Sequence, residues 1–333
     1  MPEPTAPPAP EFALSARALT RRFGDFTAVD GIDLELRRGE IFGFLGPNGA
    51  GKTTTIRILC GILTPTSGTA HVLGYDVARD PEAVKRRIGY VSQQFGLYGD
   101  LSVDENVRFY ADIYGATDRA YREHLLEHYG FKDKRRRLAG ALSGGFKQRL
   151  ALVCALTHKP KLVFLDEPTA GVDPVTRKEL WDLFYSLTAD GTTLFVTTHY
   201  MEEAERCDRV AFIFRGKLVL NDAPDKVKAH LGERDLFHVR CRYDPELVRR
   251  ARELPGVETV NQFGTTLRLI VERGRLTPET LARALGNGEL TAAHVYPTEP
   301  TMEDVFVNLT SRLAAEAEAQ DAALDAAASR GLA

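Results

Sequence analysis

Lys52 and Thr53 close the run Gly46-Pro47-Asn48-Gly49-Ala50-Gly51, giving the spacing glycine, four residues, Gly-Lys-Thr. This spacing suits phosphate. The glycines let successive backbone N–H groups converge on phosphate oxygens without a Cβ in the way. Lys52 is expected to reach the β- and γ-phosphates of a nucleotide and the Thr53 hydroxyl to ligate Mg²⁺, with Thr54 completing the nucleotide-contacting stretch. A second chemical pair stands at Asp166-Glu167, after the apolar run Leu162 to Leu165. Asp166 suits Mg²⁺, directly or through water, and Glu167 suits a general base that polarises an attacking water. Gln93 and His199 each end a strand-like run, where Gln93 can contact Mg²⁺ or the water and His199 the γ-phosphate. Ser143 with Gly144 and Gly145 forms a further cradle: a hydroxyl and bare N–H groups at the start of a helix. One P-loop does not need two cradles on one nucleotide, so the second is expected to complete the site of another subunit.

These residues need a particular scaffold. Ile41 to Leu45 reads as a buried strand and Thr53 to Cys60 as the start of a helix, which is the strand–loop–helix setting of a P-loop. Lys161 to Glu167 reads as a buried parallel strand and Leu194 to His199 as another buried strand, and ligands in such sheets bind at the C-terminal strand ends. Ahead of the loop, Phe12 to Leu36 is strand-like around a turn at Gly24-Asp25. Phe23, an aromatic some twenty residues before the loop, is either a stacking partner for adenine or a half-buried strand residue. Ser102 with Glu105 makes a capping box opening a helix, a second helix is expected over Arg119 to Tyr129, and residues 100–158 read as an all-helical insertion. Its basic cluster, Lys132 to Arg137, reads as a solvated face. Asp173 before Pro174 caps the next helix or serves the site.

Downstream of about residue 232 the pattern is strand (Leu236–Arg242), helix (Pro245–Glu253), strand (Val257–Gln262), strand (Thr266–Val271), helix (Pro278–Leu285), strand (Leu290–Tyr296). This order suggests a small split-βαβ, ferredoxin-like domain. Met302, Val305, Phe306 and Leu309 then line one face of a helix, with Thr301 and Asp304 as its cap. The expected organisation is a Pro/Ala-rich tail (1–11), an α/β P-loop NTPase domain (12–231), a small α+β C-terminal domain (232–310) and an Ala-rich, frayed tail (311–333). With 333 residues, 44% hydrophobic and 27% charged, the chain has the make-up of a globular protein. A net charge of -3 gives no sign of nucleic-acid binding. No apolar run is long enough to span a bilayer, and residues 1–10 lack the basic-then-apolar pattern of a signal peptide. The isolated Cys60, Cys154, Cys207 and Cys241 show no metal-ligand or disulfide spacing, which points to a reducing, cytoplasmic compartment.

Taken together, these motifs resemble the ATP-binding subunit of an ABC transporter. Gly46–Thr53 resembles Walker A, Leu162–Glu167 Walker B, Leu142–Gly145 the signature, Gln93 the Q-loop, Asp173 the D-loop and His199 the switch histidine. The resemblance covers about residues 13–231. Phe146 departs from the usual signature, which has glutamine there. The C-terminal extension, ending in the Glu303-Asp304-Val305-Phe306 helix, resembles the export ATPases of the daunorubicin-resistance type. The resemblance implies ATP and Mg²⁺ as ligands, and head-to-tail pairing of two nucleotide-binding domains, each ATP lying between one P-loop and the other copy's signature. It implies ATP-driven closure and reopening of that dimer, catalytic roles for Glu167, His199, Gln93 and Asp173, and separate transmembrane permease subunits docking near the Q-loop at the cytoplasmic membrane face. Competing readings are a soluble ABC ATPase acting on ribosomes or DNA, and an importer subunit. The C-terminal domain reads equally as a dimerisation or regulatory module and as a stabilising appendage.

Overall fold

Short apolar runs separated by glycine and proline turns build three sheets in the computed structural model, which describes residues 11–93, 96–242, 244–286 and 294–330. The chain divides into two compact units, Met1–Ala223 and Pro224–Ala333.

In the first unit β1 (Phe12–Phe23) and β2 (Phe26–Arg37) form a hairpin whose tip pairs Phe23 with Phe26. β3 (Ile41–Leu45) leads through the glycine loop into α1 (Lys52–Leu59). Next come β4 (Ser67–Val72), β5 (Tyr75–Asp76), α2 (Pro81–Lys85) and β6 (Ile88–Val91). The helical insertion holds α3 (Val103–Ile113), α4 (Arg119–His128) and α5 (Gly144–Leu156). Its first helix opens on the expected reciprocal cap: the Glu105 N–H donates to the Ser102 hydroxyl, and the Ser102 N–H donates to the Glu105 carboxylate. The basic cluster is laced to the surface by Lys132–Glu127 and Arg135–Glu123 pairs. β7 (Leu162–Asp166), α6 (Pro174–Ala189), β8 (Thr193–Thr198), α7 (Met201–Ala204), β9 (Arg209–Phe214) and β10 (Lys217–Asp222) complete the unit.

The main sheet runs β10-β9-β3-β8-β7-β6. It is parallel throughout except for β10, which is antiparallel to β9. β3 and β7 are buried at every position and β8 likewise, which explains why their centres are apolar. Phe195 sits at the centre of the core, with the rings of Phe42, Phe44 and Phe164 5.3–5.5 Å away. A smaller antiparallel sheet, β2-β1-β4-β5, shares this core through Leu14, Leu34 and Val72.

The second unit begins with α8 (Pro224–Ala229) and follows with β11 (Arg234–Arg240), α9 (Pro245–Glu253), β12 (Val257–Phe263), β13 (Thr266–Glu272), α10 (Pro278–Leu285) and β14 (Val295–Pro297). The sheet order β12-β13-β11-β14, with antiparallel neighbours, is the ferredoxin-like arrangement. Of the last expected strand, Leu290 to Tyr296, residues 290–293 lie outside the described residues; β14 begins at Val295. α11 (Met302–Arg330) continues well past the amphipathic turn that the sequence marks, so the Ala-rich stretch from Ser311 is helical rather than frayed. Alanine and glutamate are strong helix formers, and a helix already nucleated at Thr301 needs little else to extend. The Thr301 hydroxyl and amide both donate to the Asp304 carboxylate, and the Asp304 amide donates back to the Thr301 hydroxyl. Asp304, 2% exposed, also pairs with Arg268 of β13, whose Nη1 contacts Nε2 of His238 at 2.7 Å. One buried ion pair therefore ties α11 to its sheet.

Candidate functional site

The C-terminal ends of four neighbouring strands, β3, β8, β7 and β6, carry the chemistry that the sequence marks. β3 delivers the glycine loop, β6 delivers Gln93, β7 ends in Asp166 with Glu167 next, and β8 is followed by His199. Parallel pairing aligns these ends, so residues 46 and 199 in sequence become neighbours in space.

The loop is shaped around tight backbone. Gly49 and Gly51 have φ of +79° and +112°, and a Cβ on Gly51 would fall 2.4 Å from the Ala28 carbonyl oxygen. A Cβ on Gly46 would fall 2.3 Å from the Ile213 carbonyl oxygen. Lys52 is 5% exposed, and its ammonium donates to the carbonyls of Gly46 (2.8 Å) and Pro47 (3.3 Å). Its third neighbour is Oε1 of Glu167, 3.3 Å away. A cavity of about 410 Å³ opens over the loop, lined by Pro47, Asn48, Gly49, Gly51, Lys52, Thr53, Thr54, Gln93 and Glu167 together with Phe26 and Ala28.

Glu167 is the hub. Its Oε2 accepts from the Gln93 amide at 2.8 Å and lies 3.3 Å from Nδ1 of His199. Its backbone has φ +49°, a left-handed conformation that is strained for a glutamate. Two bonds from its N–H hold it there, to the Thr197 hydroxyl at 2.9 Å and the Thr197 carbonyl at 3.2 Å. The Thr197 hydroxyl in turn donates to Oδ1 of Asp166 at 2.7 Å. Thr197 thus ties the Glu167 backbone to the Asp166 carboxylate, and sequence reasoning passed it over; the available signal was a polar residue just inside the C-terminal end of a buried strand. Burial raises the Asp166 pKa above its usual value, only partly offset by hydrogen bonds from Thr197 and Thr53. The oxygen set of Thr53, Gln93 and Asp166 has the hard-donor chemistry that Mg²⁺ takes, and the Thr53 hydroxyl already reaches Asp166. The loop's close-packed glycines and buried lysine fit a nucleotide phosphate.

Other expected residues fall differently. Phe26, 63% exposed, lines the cavity in the place given to Phe23. Phe23, its partner across the hairpin, is not in the lining, and the Arg21 guanidinium covers its ring at 4.5 Å. Two aromatics flank one turn, and spacing alone does not separate them. Ala50 is buried beneath the loop, its N–H bonded to the Pro47 carbonyl at 3.2 Å. Asp173 caps α6: one carboxylate oxygen accepts from the N–H groups of Val175 and Thr176 and the other from the Thr176 hydroxyl at 2.6 Å. Those bonds hold its pKa below the usual range, the Thr176 hydroxyl contributing most, and none of them joins it to the Glu167 hub.

The signature segment stands apart within the same unit. Ser143 occupies the N-cap of α5, yet its hydroxyl makes no capping bond, and both Ser143 and Gly144 are exposed. A Cβ on Gly144 would meet nothing within 4 Å, and as the first residue of α5 its amide has no acceptor within the helix. Gly145 has a different reason to be glycine: a Cβ there would fall 2.3 Å from Cγ2 of Thr176 on α6. Phe146 fills a pocket of its own, edge-on to Phe131 at 5.6 Å with the Lys134 ammonium 4.7 Å above its ring.

Comparison with known proteins agrees with this geometry. Residues 29–170 match the family model described as ABC transporter, and residues 223–310 match that of the C-terminal domain of DrrA1-3-like ATP-binding proteins. The probable multidrug ABC transporter ATP-binding protein YbhF of Escherichia coli is 48% identical over 222 residues, 66% of this chain but only 38% of YbhF. The chain thus spans well under half of that relative's length. The daunorubicin resistance ATP-binding protein DrrA3 of Streptomyces coeruleorubidus is 37% identical over 304 residues, covering 90% of this chain and 96% of DrrA3. Among solved structures, the dimeric post-hydrolysis state of the ATP-binding cassette MJ0796 bound to ADP and phosphate superposes with a TM-score of 0.58 at 26% identity, over 63% of this chain and 98% of that one.

Proposed function

This chain belongs to the ABC transporter ATP-binding proteins, and from that premise we propose that it hydrolyses ATP to drive a membrane exporter of drugs or other amphipathic molecules. The observation that carries the reading is the Glu167 carboxylate, met by Lys52, Gln93 and His199 beside a phosphate-shaped glycine loop. In the proposed mechanism the loop N–H groups and Lys52 hold the β- and γ-phosphates. Thr53, Gln93 and Asp166 would hold Mg²⁺, which supplies positive charge to the phosphates when bound. Glu167 orients and deprotonates the attacking water, with the neighbouring His199 fixing its carboxylate. Phe26, in the cavity lining, offers the stacking face for the adenine.

The free Ser143 hydroxyl and the open Gly144 amide, at the start of a 13-residue helix, support completion of the nucleotide site by a second copy. The cassette MJ0796 is dimeric with ADP and phosphate, and the same pairing is proposed here. Among the described residues no helix is long and apolar enough to cross a membrane, so the spanning subunits are assigned to other chains. Tyr98, Phe109 and Ile113 are 51%, 37% and 60% exposed, and the Tyr98 and Phe109 rings meet edge-on at 5.0 Å. This apolar face lies just after Gln93 in the chain and suits a permease contact at the cytoplasmic side of the membrane. The drug-type cargo rests on the names of YbhF and DrrA3.

One experiment tests the assignment. Glu167→Gln should lose about 10²- to 10⁴-fold in hydrolysis yet still bind ATP, run as an ATP-dependent dimer, and co-purify a polytopic membrane protein from native membranes. Wild-type turnover in the variant would remove Glu167 from its role. Ribosomal or DNA-bound partners in place of a membrane protein would overturn the exporter reading.

A further inference from the structure

The N-terminal ends of the main-sheet strands border a second cavity, of about 370 Å³. Its wall contains Arg38, Arg86, Arg87, Lys159 and Lys161, together with His158, and no carboxylate. These residues immediately precede β3, β6 and β7, at the strand N-termini, whereas the glycine loop and Glu167 follow the C-terminal ends of the same strands. The two cavities contrast in charge: the first faces one lysine with one glutamate, the second gathers five formal positive charges in a chain whose net charge is -3.

Local structure explains part of this. Arg86 and Arg87 follow the end of α2, and Lys159 and Lys161 follow the end of α5, where the negative end of each helix dipole favours a cation. Asp118, outside the wall, pairs with Lys159 at 2.8 Å. The dipoles do not explain why two helix ends and the β2–β3 turn converge on one cavity with no acid in its wall, since like charges so gathered repel. The wall is also built rather than loose. The Arg87 guanidinium lies 4.3 Å above the Tyr75 ring and donates to the Ala83 carbonyl at 2.9 Å. The His158 ring stacks on Tyr114 at 3.9 Å and bonds the Ile88 carbonyl through Nε2 at 3.0 Å. Its Nδ1 is buried with no partner, the one such side-chain nitrogen in the wall.

We propose that this cavity is a second anion site, which takes a compact, multiply charged phosphate group independently of the glycine loop. Its volume accommodates a pyrophosphate or the phosphate end of a larger molecule, and arginines and lysines supply the charge-assisted donors that such oxygens accept. The bound anion neutralises the clustered cations.

The test is equilibrium dialysis of the full chain against labelled pyrophosphate, with the glycine loop saturated by a non-hydrolysable ATP analogue and Mg²⁺. One additional saturable site per chain is expected, weakened at least about tenfold by Arg86→Glu or Lys161→Glu and unaffected by Lys52→Ala. Unchanged thermal midpoints and unchanged analogue binding in the charge-reversed variants establish that they fold. Flotation with phosphatidic-acid vesicles separates the sources: charge-sensitive flotation without pyrophosphate binding assigns the phosphate to a lipid headgroup, and pyrophosphate binding without flotation assigns it to a soluble compound. Absence of both, or binding that the charge reversals leave unchanged, overturns the proposal.

Discussion

The Glu167 hub and the Ser143 segment both face phosphate in the proposed mechanism, yet they are built in opposite ways. Around Glu167 the polar groups converge: Lys52, Gln93, His199, Thr197 and Asp166 form one connected network, most of it buried. At Ser143 the hydroxyl makes no capping bond, and the exposed Gly144 amide, first in α5, has no acceptor within the helix. A network closed within one chain is pre-organised by folding itself. A cradle left open at a helix N-terminus is organised by folding but completed only by what binds to it. The contrast is the physical argument for pairing two copies, each closing the other's site.

Ser143→Ala breaks the contrast most directly. An ordinary N-cap serine loses about 1 kcal/mol of stability on truncation. Here the thermal midpoint should not move, because no capping bond is lost, while ATP turnover falls about 10²-fold through the missing phosphate donor. A drop in midpoint with normal turnover would make Ser143 a cap and nothing more.

Gly145→Ala should act in the reverse sense. Its Cβ collides with Cγ2 of Thr176, so calorimetry should show about 1–3 kcal/mol of destabilisation. Thr176→Ser in the same chain removes that methyl and should restore most of the loss. Failure of the rescue would mean that the glycine is needed for its open backbone, like Gly144, and not for packing.

The smallest effect sharpens the closed side. The Asp166 pKa is raised by burial, so its ionised form is disfavoured in the fold. That penalty is absent at low pH, appears as pH rises through the ordinary aspartate pKa, and is complete above the folded pKa. Asp166→Asn should therefore match wild type in thermal midpoint near about pH 4 and exceed it near about pH 7, with turnover abolished at both. A variant less stable than wild type at neutral pH would show that the bonds from Thr197 and Thr53 outweigh desolvation.

Much of this was legible beforehand, for identifiable reasons. Fully buried parallel strands have apolar centres, so β3, β7 and β8 stood out, and a polar residue at such a strand's C-terminal end has few uses other than a site. The helices α9 and α10 were found to the residue because proline at the first position and a capping residue before it mark a start unambiguously. The far end of α11 was misjudged because helix propensity without an apolar face gives no packing signal. Phe26 was missed because Phe23 occupies the same hairpin tip, and which ring borders the cavity depends on the direction each strand turns.

The sequence by itself determined the chemistry: the glycine loop with Lys52 and Thr53, the Asp166-Glu167 pair, and the Ser143 cradle, since each depends on residue types at short fixed spacing. Only the tertiary structure decided how they meet. Strand order β3-β8-β7-β6 sets Gln93 and His199 on the same carboxylate, Thr197 bridges two acids, and five cations converge at the strands' N-terminal ends. Those are contacts between residues tens of positions apart, and the pairing of strands, which fixes them, is a property of the packed sheet and not of any one segment.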